Sequence, residues 1–213
     1  MHGDGTSGDA AAGLSIERIV FFSDAVIAIA ITLLAIDLKL PEGGEQTGQP
    51  LTPLLTALAP RYLAFVISFA VIAVYWVAHH RMFRFITAFN GVLLFLNMLF
   101  LFFVVQLPFL ASVLGTHGNL SSATALYALG LAAMGFSSAA LWMYAVRKGL
   151  ARPDLPRGLS TYMALRALIV SIIFLASIPI ALLSPAVAQL SWIAIVPAQR
   201  ILARRMAHAA RHA

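Results

Sequence analysis

Six stretches of apolar residues, each close to the length of a membrane-spanning helix, limit the folds open to this chain. They cover residues 19–40, 62–78, 91–110, 123–146, 164–183 and 185–202. About 20 apolar residues in a helix cross the roughly 30 Å of hydrocarbon in a bilayer. Because the hydrocarbon offers no water, the backbone must satisfy its own hydrogen bonds, as a helix does. The sequence therefore predicts an all-α, polytopic membrane protein with six transmembrane helices.

The composition favours one membrane domain with short tails. Apolar residues make up 61% of the 213-residue chain and charged residues 10%, against about 45–50% and 25% in ordinary soluble domains. We predict a six-helix domain over residues 16–203 and a basic tail over 204–213. Residues 1–15 are small, polar and free of Lys and Arg, unlike a signal or transit peptide. We expect this segment to be disordered.

The basic residues predict the orientation, because cytoplasmic flanks retain Lys and Arg during insertion. Of the 14 Lys and Arg residues, all but Lys39 and Arg61 fall on one side of the predicted helices. Both tails are therefore expected in the cytoplasm. These residues flank apolar segments and form no stripe with interleaved aromatics, so topology explains the net charge of +6 and no nucleic-acid partner is predicted.

Enzymatic and metal chemistry find little support in the sequence. The chain has no cysteine, which excludes thiolate nucleophiles and cysteine-ligated metals. His79 and His80 are adjacent and point about 100° apart on a helix, unlike the i, i+4 pair of a zinc helix. No Gly-x-Ser-x-Gly elbow occurs either. We predict no catalytic residue, no bound metal and no cofactor.

Asp24 lies about five residues inside the first predicted span, where a charged carboxylate costs roughly 2.5–3.5 kcal/mol. It therefore needs polar partners. Such side chains occur at a similar depth on three predicted helices: Ser23 on the first, Trp76, His79 and His80 on the second, and Asn97 on the third. We expect a network that includes one of the two histidines. It either locks the helices together or senses protons through the histidine.

An apolar stripe runs along the first predicted helix. Its members are three or four residues apart: Phe22, Val26, Ile29, Leu33, Ile36 and Leu40. The stripe can face lipid, another helix or a pore. At about 100° per residue, Asp24 lies about 140° from Ile29 and points elsewhere. Thr32 lies about 60° from the stripe, where its hydroxyl can reach a pore wall or bond its own helix. Arg18 can ring a pore mouth, pair with acids or extend towards lipid headgroups.

Three segments together resemble a known family. Arg18, Phe22, Ser23 and Asp24 match the Arg-x-x-x-Phe-Ser-Asp signature of the transmembrane protein 175 family of potassium channels. YWVAHHRMF at 75–83 and LNMLFLFFVVQLPF at 96–109 resemble the second and third helices of that family. The resemblance covers residues 16–110. On it, the chain is identified as a bacterial member of the family.

The resemblance implies a potassium-conducting homotetramer in the bacterial plasma membrane, with monovalent cations as permeant ions and the first helix lining a shared central pore. It implies a hydrophobic constriction in place of a carbonyl filter. Ile29 matches the narrowest position, Leu33 and Ile36 match further apolar rings, and Thr32 matches a hydroxyl position linked to selectivity. Ala28 stands where other members carry serine.

Two other hypotheses remain open from the sequence. A proton-coupled secondary transporter could use Asp24 with His79 or His80, because ionisable groups inside membranes often form relays. A membrane scaffold without flux would explain the helices alone. Asp37, Glu42 and Glu45 outnumber Lys39 at the expected outer mouth. That excess of acids either attracts cations or belongs to an ordinary solvated loop.

Overall fold

The computed structural model describes residues 5–39, 51–155 and 158–209. Its α-helices are α1 (Gly5–Leu33), α2 (Leu51–Phe83), α3 (Gly91–His117), α4 (Ser121–Arg147), α5 (Leu159–Leu183), α6 (Pro185–Ser191) and α7 (Ile195–Ala209). Short 3₁₀ helices, Leu34–Asp37 and Trp192–Ala194, follow α1 and join α6 to α7. Six helical segments are long and apolar enough to cross a membrane, the sixth being Pro185–Met206. The predicted all-α, multi-pass membrane protein is confirmed.

Two helices begin earlier than the sequence predicted. α1 starts at Gly5, earlier than the predicted span at residue 19, and residues 1–4 lie outside the described part. Residues 10–12 are consecutive alanines, the strongest helix formers. α2 starts at Leu51, earlier than the predicted span at residue 62, with Pro53 in its first turn. A proline in the first turn of a helix removes an N–H that has no partner anyway.

The helices pack in an order that leaves α1 at one side of the bundle. α1 packs against α2 and α3, α3 against α4, and α4 against α5, which also contacts α6 and α7. The main core lies between α1, α2, α3 and α4, with Ile27, Phe100 and Leu131 buried in it. α2 and α3 approach closely at Gly115. A side chain there would not fit, since its Cβ would lie 2.9 Å from the Arg61 Cα. α1 thus has intramolecular neighbours along one face only.

The loops after α2 and α4 pair at one end of the bundle. The Thr87 amide donates to the Leu150 carbonyl at 2.9 Å, and the Arg152 amide donates to the Phe85 carbonyl at 2.8 Å. A second buried cluster lies beside them, and Ile16, Ile19 and Val20 of α1 pack against it. We call this the basic end of the bundle, because Arg81, Arg84, Arg147 and Arg152 lie there.

Candidate functional site

The two faces of α1 have opposite surroundings. Ile27 is 1% exposed and belongs to the main core. Ile29, two residues further on, is 59% exposed. The other described members of the predicted stripe follow Ile29: Phe22, Leu33 and Ile36 are exposed, and Val26 is partly buried. Leu40 lies outside the described residues. In the single chain, the stripe is therefore an uncovered apolar surface.

Small side chains flank this stripe along one edge. Ala25, Ala28, Thr32 and Ala35 are all exposed and lie three or four residues apart. The Thr32 hydroxyl donates to the Ile29 carbonyl at 2.8 Å, so it bonds its own helix while its oxygen keeps a free lone pair. We call these four residues the small-residue flank. Small residues let neighbouring membrane helices approach closely.

Ser23, His79 and Asn97 form a hydrogen-bonded chain across three helices. The Asn97 amide nitrogen donates to the Ser23 hydroxyl oxygen at 3.0 Å. The Ser23 hydroxyl donates to the Ile19 carbonyl at 2.8 Å. The His79 Nε2 lies 2.9 Å from the Asn97 side-chain oxygen, which can only accept, so Nε2 carries the proton. All three side chains are buried, and the chain ties α1, α2 and α3 together.

Aromatic rings enclose the His79 imidazole. Its ring stacks on Phe100 with centroids 5.4 Å apart and planes 10° from parallel. Phe83 lies closer, at 4.4 Å between centroids. The Nδ1 atom of His79 is buried and has no hydrogen-bond partner within residues 5–39, 51–155 and 158–209. The imidazole is thus a tightly packed ring with one of its two nitrogens hydrogen-bonded to a described residue.

Asp24 has a separate partner. The Trp76 indole N–H donates to an Asp24 carboxylate oxygen at 2.8 Å. The expected single network is therefore two units, because adjacent Ser23 and Asp24 point to different sides of α1. His80 belongs to neither unit: it is exposed, makes no hydrogen bond to any described residue and lies 6.0 Å from the Trp76 ring. Of the two histidines, His79 joins the hydrogen bonds.

Charged residues flank the first membrane-spanning segment at both of its ends. Arg18 is exposed and forms no ion pair with any described residue. Lys39 is exposed, but Glu42, Glu45 and the side chain of Asp37 lie outside the described part. No cluster of three His, Asp or Glu side chains that could hold a metal occurs among the described residues.

Several polar contacts inside the membrane were not predicted. The Ser68 and Tyr127 hydroxyls lie 2.9 Å apart between α2 and α4. The Trp192 indole N–H donates to the Ser177 hydroxyl at 2.9 Å. Arg166, near the start of the predicted fifth span, lies inside α5. Isolated Ser and Tyr residues in apolar runs signal such contacts, but not which partner each residue meets.

Comparison with known proteins gives sequence matches over part of the chain. Residues 18–108 match the model of a family described as endosomal/lysosomal potassium channel TMEM175. A potassium channel of Streptomyces collinus is 40% identical over 136 residues, which cover 62% of this chain and 65% of that protein. The human endosomal/lysosomal proton channel TMEM175 is 39% identical over 101 residues, covering 45% of this chain and 20% of that protein. The chain thus spans less than two thirds of either relative.

One solved structure extends the likeness over nearly the whole fold. It is the crystal structure of a lysosomal potassium-selective channel TMEM175 homolog from Chamaesiphon minutus. The two structures superpose with a TM-score of 0.75 and 28% sequence identity. The match covers 90% of this chain and 98% of the other. The fold therefore has an experimental counterpart over nine tenths of the chain.

Proposed function

Because this chain belongs to the TMEM175 family and resembles its bacterial members, we propose that it forms a potassium-conducting channel whose constriction is hydrophobic. The observation that carries the proposal is the exposure of Ile29, Leu33 and Ile36 on α1. The relatives named as potassium channels make potassium the first permeant ion to test.

The packing of α1 supports a pore shared between copies of the chain. α1 is covered by α2 and α3 on one face, while its bulky stripe and its small-residue flank are both exposed. One helix cannot enclose an axis, so several copies must supply the wall. Small residues allow adjacent α1 helices to meet closely, with the bulky stripe turned towards the axis. We propose a homotetramer, with Ile29 from four chains forming the narrowest ring.

A ring of isoleucine side chains conducts by a different rule from a carbonyl filter. It offers no oxygen atoms to replace the water around an ion, and it gates by wetting and dewetting. Conduction then depends on pore width. The Thr32 oxygen lies on the exposed side of α1 and keeps an unused lone pair, and it is our proposed contribution to ion preference.

The two hydrogen-bonded units attach α1 to its neighbours on the side away from the proposed pore. The Ser23, Asn97 and His79 chain and the Asp24–Trp76 pair fix α1 to α2 and α3. Both lie off the Ile29 face. We propose that they fix the rotation of α1 about its own axis, so that Ile29 keeps facing the pore. We also propose that both termini lie in the cytoplasm and that Arg18 lies at the cytoplasmic mouth of the pore.

The alternative is a proton-coupled transporter that uses Asp24 with a histidine. Among the described residues, His79 is hydrogen-bonded to Asn97 and Asp24 to Trp76, so no direct bond joins the carboxylate to the imidazole. The proposed relay would need another link between the two units.

Recordings from the purified protein in planar bilayers separate these functions. With potassium on both sides, we expect unitary current steps. When sodium replaces potassium on one side, we expect the reversal potential to shift in the direction that shows a preference for potassium. A transporter gives saturable flux without resolvable openings. Saturable flux alone, or no current in a preparation that retains its native oligomeric mass, would contradict a channel.

A further inference from the structure

A cavity of about 610 Å³ lies between α2, α5 and α7, away from the exposed face of α1. Its wall is mostly apolar, with Val74, Val170 and Ile195 among its lining residues. Arg81 and Arg84, from the basic end of the bundle, line it as well. The cavity is therefore amphipathic along its length, as a phospholipid is.

Arg166 places a positive charge inside this cavity. It lies about 10 Å along α5 from Leu159, at 1.5 Å per residue, and it lines the cavity. Its guanidinium forms no ion pair or hydrogen bond with any described residue; its backbone carbonyl accepts the Gln199 side-chain N–H at 2.8 Å. Unpaired charges inside membrane segments are costly and mark functional sites.

Two further polar atoms in the same cavity have no partner in the described part of the chain. They are the Tyr75 hydroxyl and the Gln199 side-chain oxygen, both buried. Tyr75 is 7% exposed, so water reaches it poorly. Buried polar groups are almost always hydrogen-bonded. A hydroxyl donor and an amide acceptor beside a guanidinium match a phosphate ester with a hydroxylated headgroup.

We propose that this cavity binds one anionic phospholipid per chain. Its phosphate contacts Arg166, with Arg81 and Arg84 beside the headgroup, and an acyl chain lies along the apolar wall near Val74. Charge complementarity selects this occupant, since three arginines without an acidic partner among the described residues face an apolar chamber. Basic pockets between transmembrane helices bind anionic headgroups in this way.

Native mass spectrometry of the delipidated protein tests the site with phosphatidylglycerol and phosphatidylcholine of identical acyl chains. We expect phosphatidylglycerol to bind at one copy per chain and more tightly than phosphatidylcholine. Arg166→Gln should weaken phosphatidylglycerol binding about tenfold, the smallest effect expected for one lost charge-assisted hydrogen bond. Arg205→Gln is the matched control: Arg205 is exposed on α7 and does not line the cavity, so binding should stay unchanged.

Equal affinity for the two lipids, or equal losses in Arg166→Gln and Arg205→Gln, would overturn the proposal. Val74→Trp provides a second test that keeps every charge, and it should also weaken phosphatidylglycerol binding by filling the apolar wall. If Val74→Trp bound phosphatidylglycerol as tightly as the parent protein, the acyl chain would not lie along the wall near Val74.

Discussion

The His79 Nε2 on α2 lies 2.9 Å from the Asn97 side-chain oxygen on α3, and the amide nitrogen of Asn97 donates to Ser23 on α1. One amide group thus bridges two helices by using its acceptor on one side and its donor on the other. Neither neighbour can be removed without leaving a buried polar atom alone. The Asn97 side chain therefore links α1, α2 and α3 directly.

We predict that Asn97→Leu destabilises the protein by about 1–3 kcal/mol, the cost of an unpaired buried donor. The His79 N–H loses its acceptor, while the Ser23 hydroxyl keeps its own bond to Ile19. Thermal unfolding followed by size-exclusion chromatography measures the loss. Gln106→Leu on the same helix is the control, because Gln106 makes no hydrogen bond to any described residue. Similar losses in both variants would refute a special role for Asn97.

The Asp24–Trp76 bond should couple the stabilities of the two residues. Asp24→Ala and Trp76→Phe each remove it, so the double variant should lose less stability than the two single losses combined. We expect a coupling energy of about 1 kcal/mol, low for a charged hydrogen bond because both side chains are partly exposed. Folding or assembly should suffer before ion preference does. An Asp24→Ala protein that assembles normally and changes only its ion preference would place Asp24 in the pore.

Four chains should meet along the small-residue flank of α1. Native mass measurement in detergent should give the mass of four chains. Ala28→Trp should reduce this mass, because a large ring on the flank separates adjacent helices. Ala203→Trp adds the same ring to an exposed alanine on α7 and should leave the tetramer intact. Monomers alone in the parent protein would exclude a shared pore, and a dimer would require a different one.

Thr32 should influence ion preference through its oxygen atom. Thr32→Val keeps the shape of the side chain and removes the oxygen, so we expect potassium preference over sodium to fall. Thr32→Ser keeps an oxygen that can donate to the Ile29 carbonyl and should retain the preference. The shift in reversal potential between potassium and sodium solutions measures both. A Val variant that matches the parent while the Ser variant differs would exclude the hydroxyl from the conduction path.

Helix periodicity predicted most of what is visible on α1. It separated Ile29 from Asp24 by about 140°, and in the structure Ile29 is exposed while Asp24 bonds to Trp76 on a neighbouring helix. The separation of Ser23 from Asp24 into two hydrogen-bonded units did not follow from periodicity, because it depends on how α2 and α3 cross α1. Sequence spacing fixes a direction on one helix but not which neighbour lies there.

Arg166 shows a second limit of sequence spacing. It lies near the start of the predicted fifth span, and α5, which begins at Leu159, carries it within a segment apolar enough to cross a membrane. A hydropathy pattern assigns charged residues to water by default, and it cannot foresee a cavity formed by α2, α5 and α7. The early start of α1 at Gly5 was not predicted either. The high helix propensity of the alanines at 10–12 outweighed the polarity of the surrounding tail.

The most direct measurement compares reversal potentials of Ile29→Asn and Ile172→Asn under potassium and sodium gradients. The two residues are the same type and almost equally exposed, 59% for Ile29 on α1 and 56% for Ile172 on α5. Asparagine is shorter and polar, so a ring of four at the constriction should widen, wet more readily and pass more current. We predict that Ile29→Asn raises conductance and lowers potassium preference, while Ile172→Asn leaves both as in the parent. Unchanged conductance and reversal potential in Ile29→Asn, together with a shift in Ile172→Asn, would contradict a pore lined by α1.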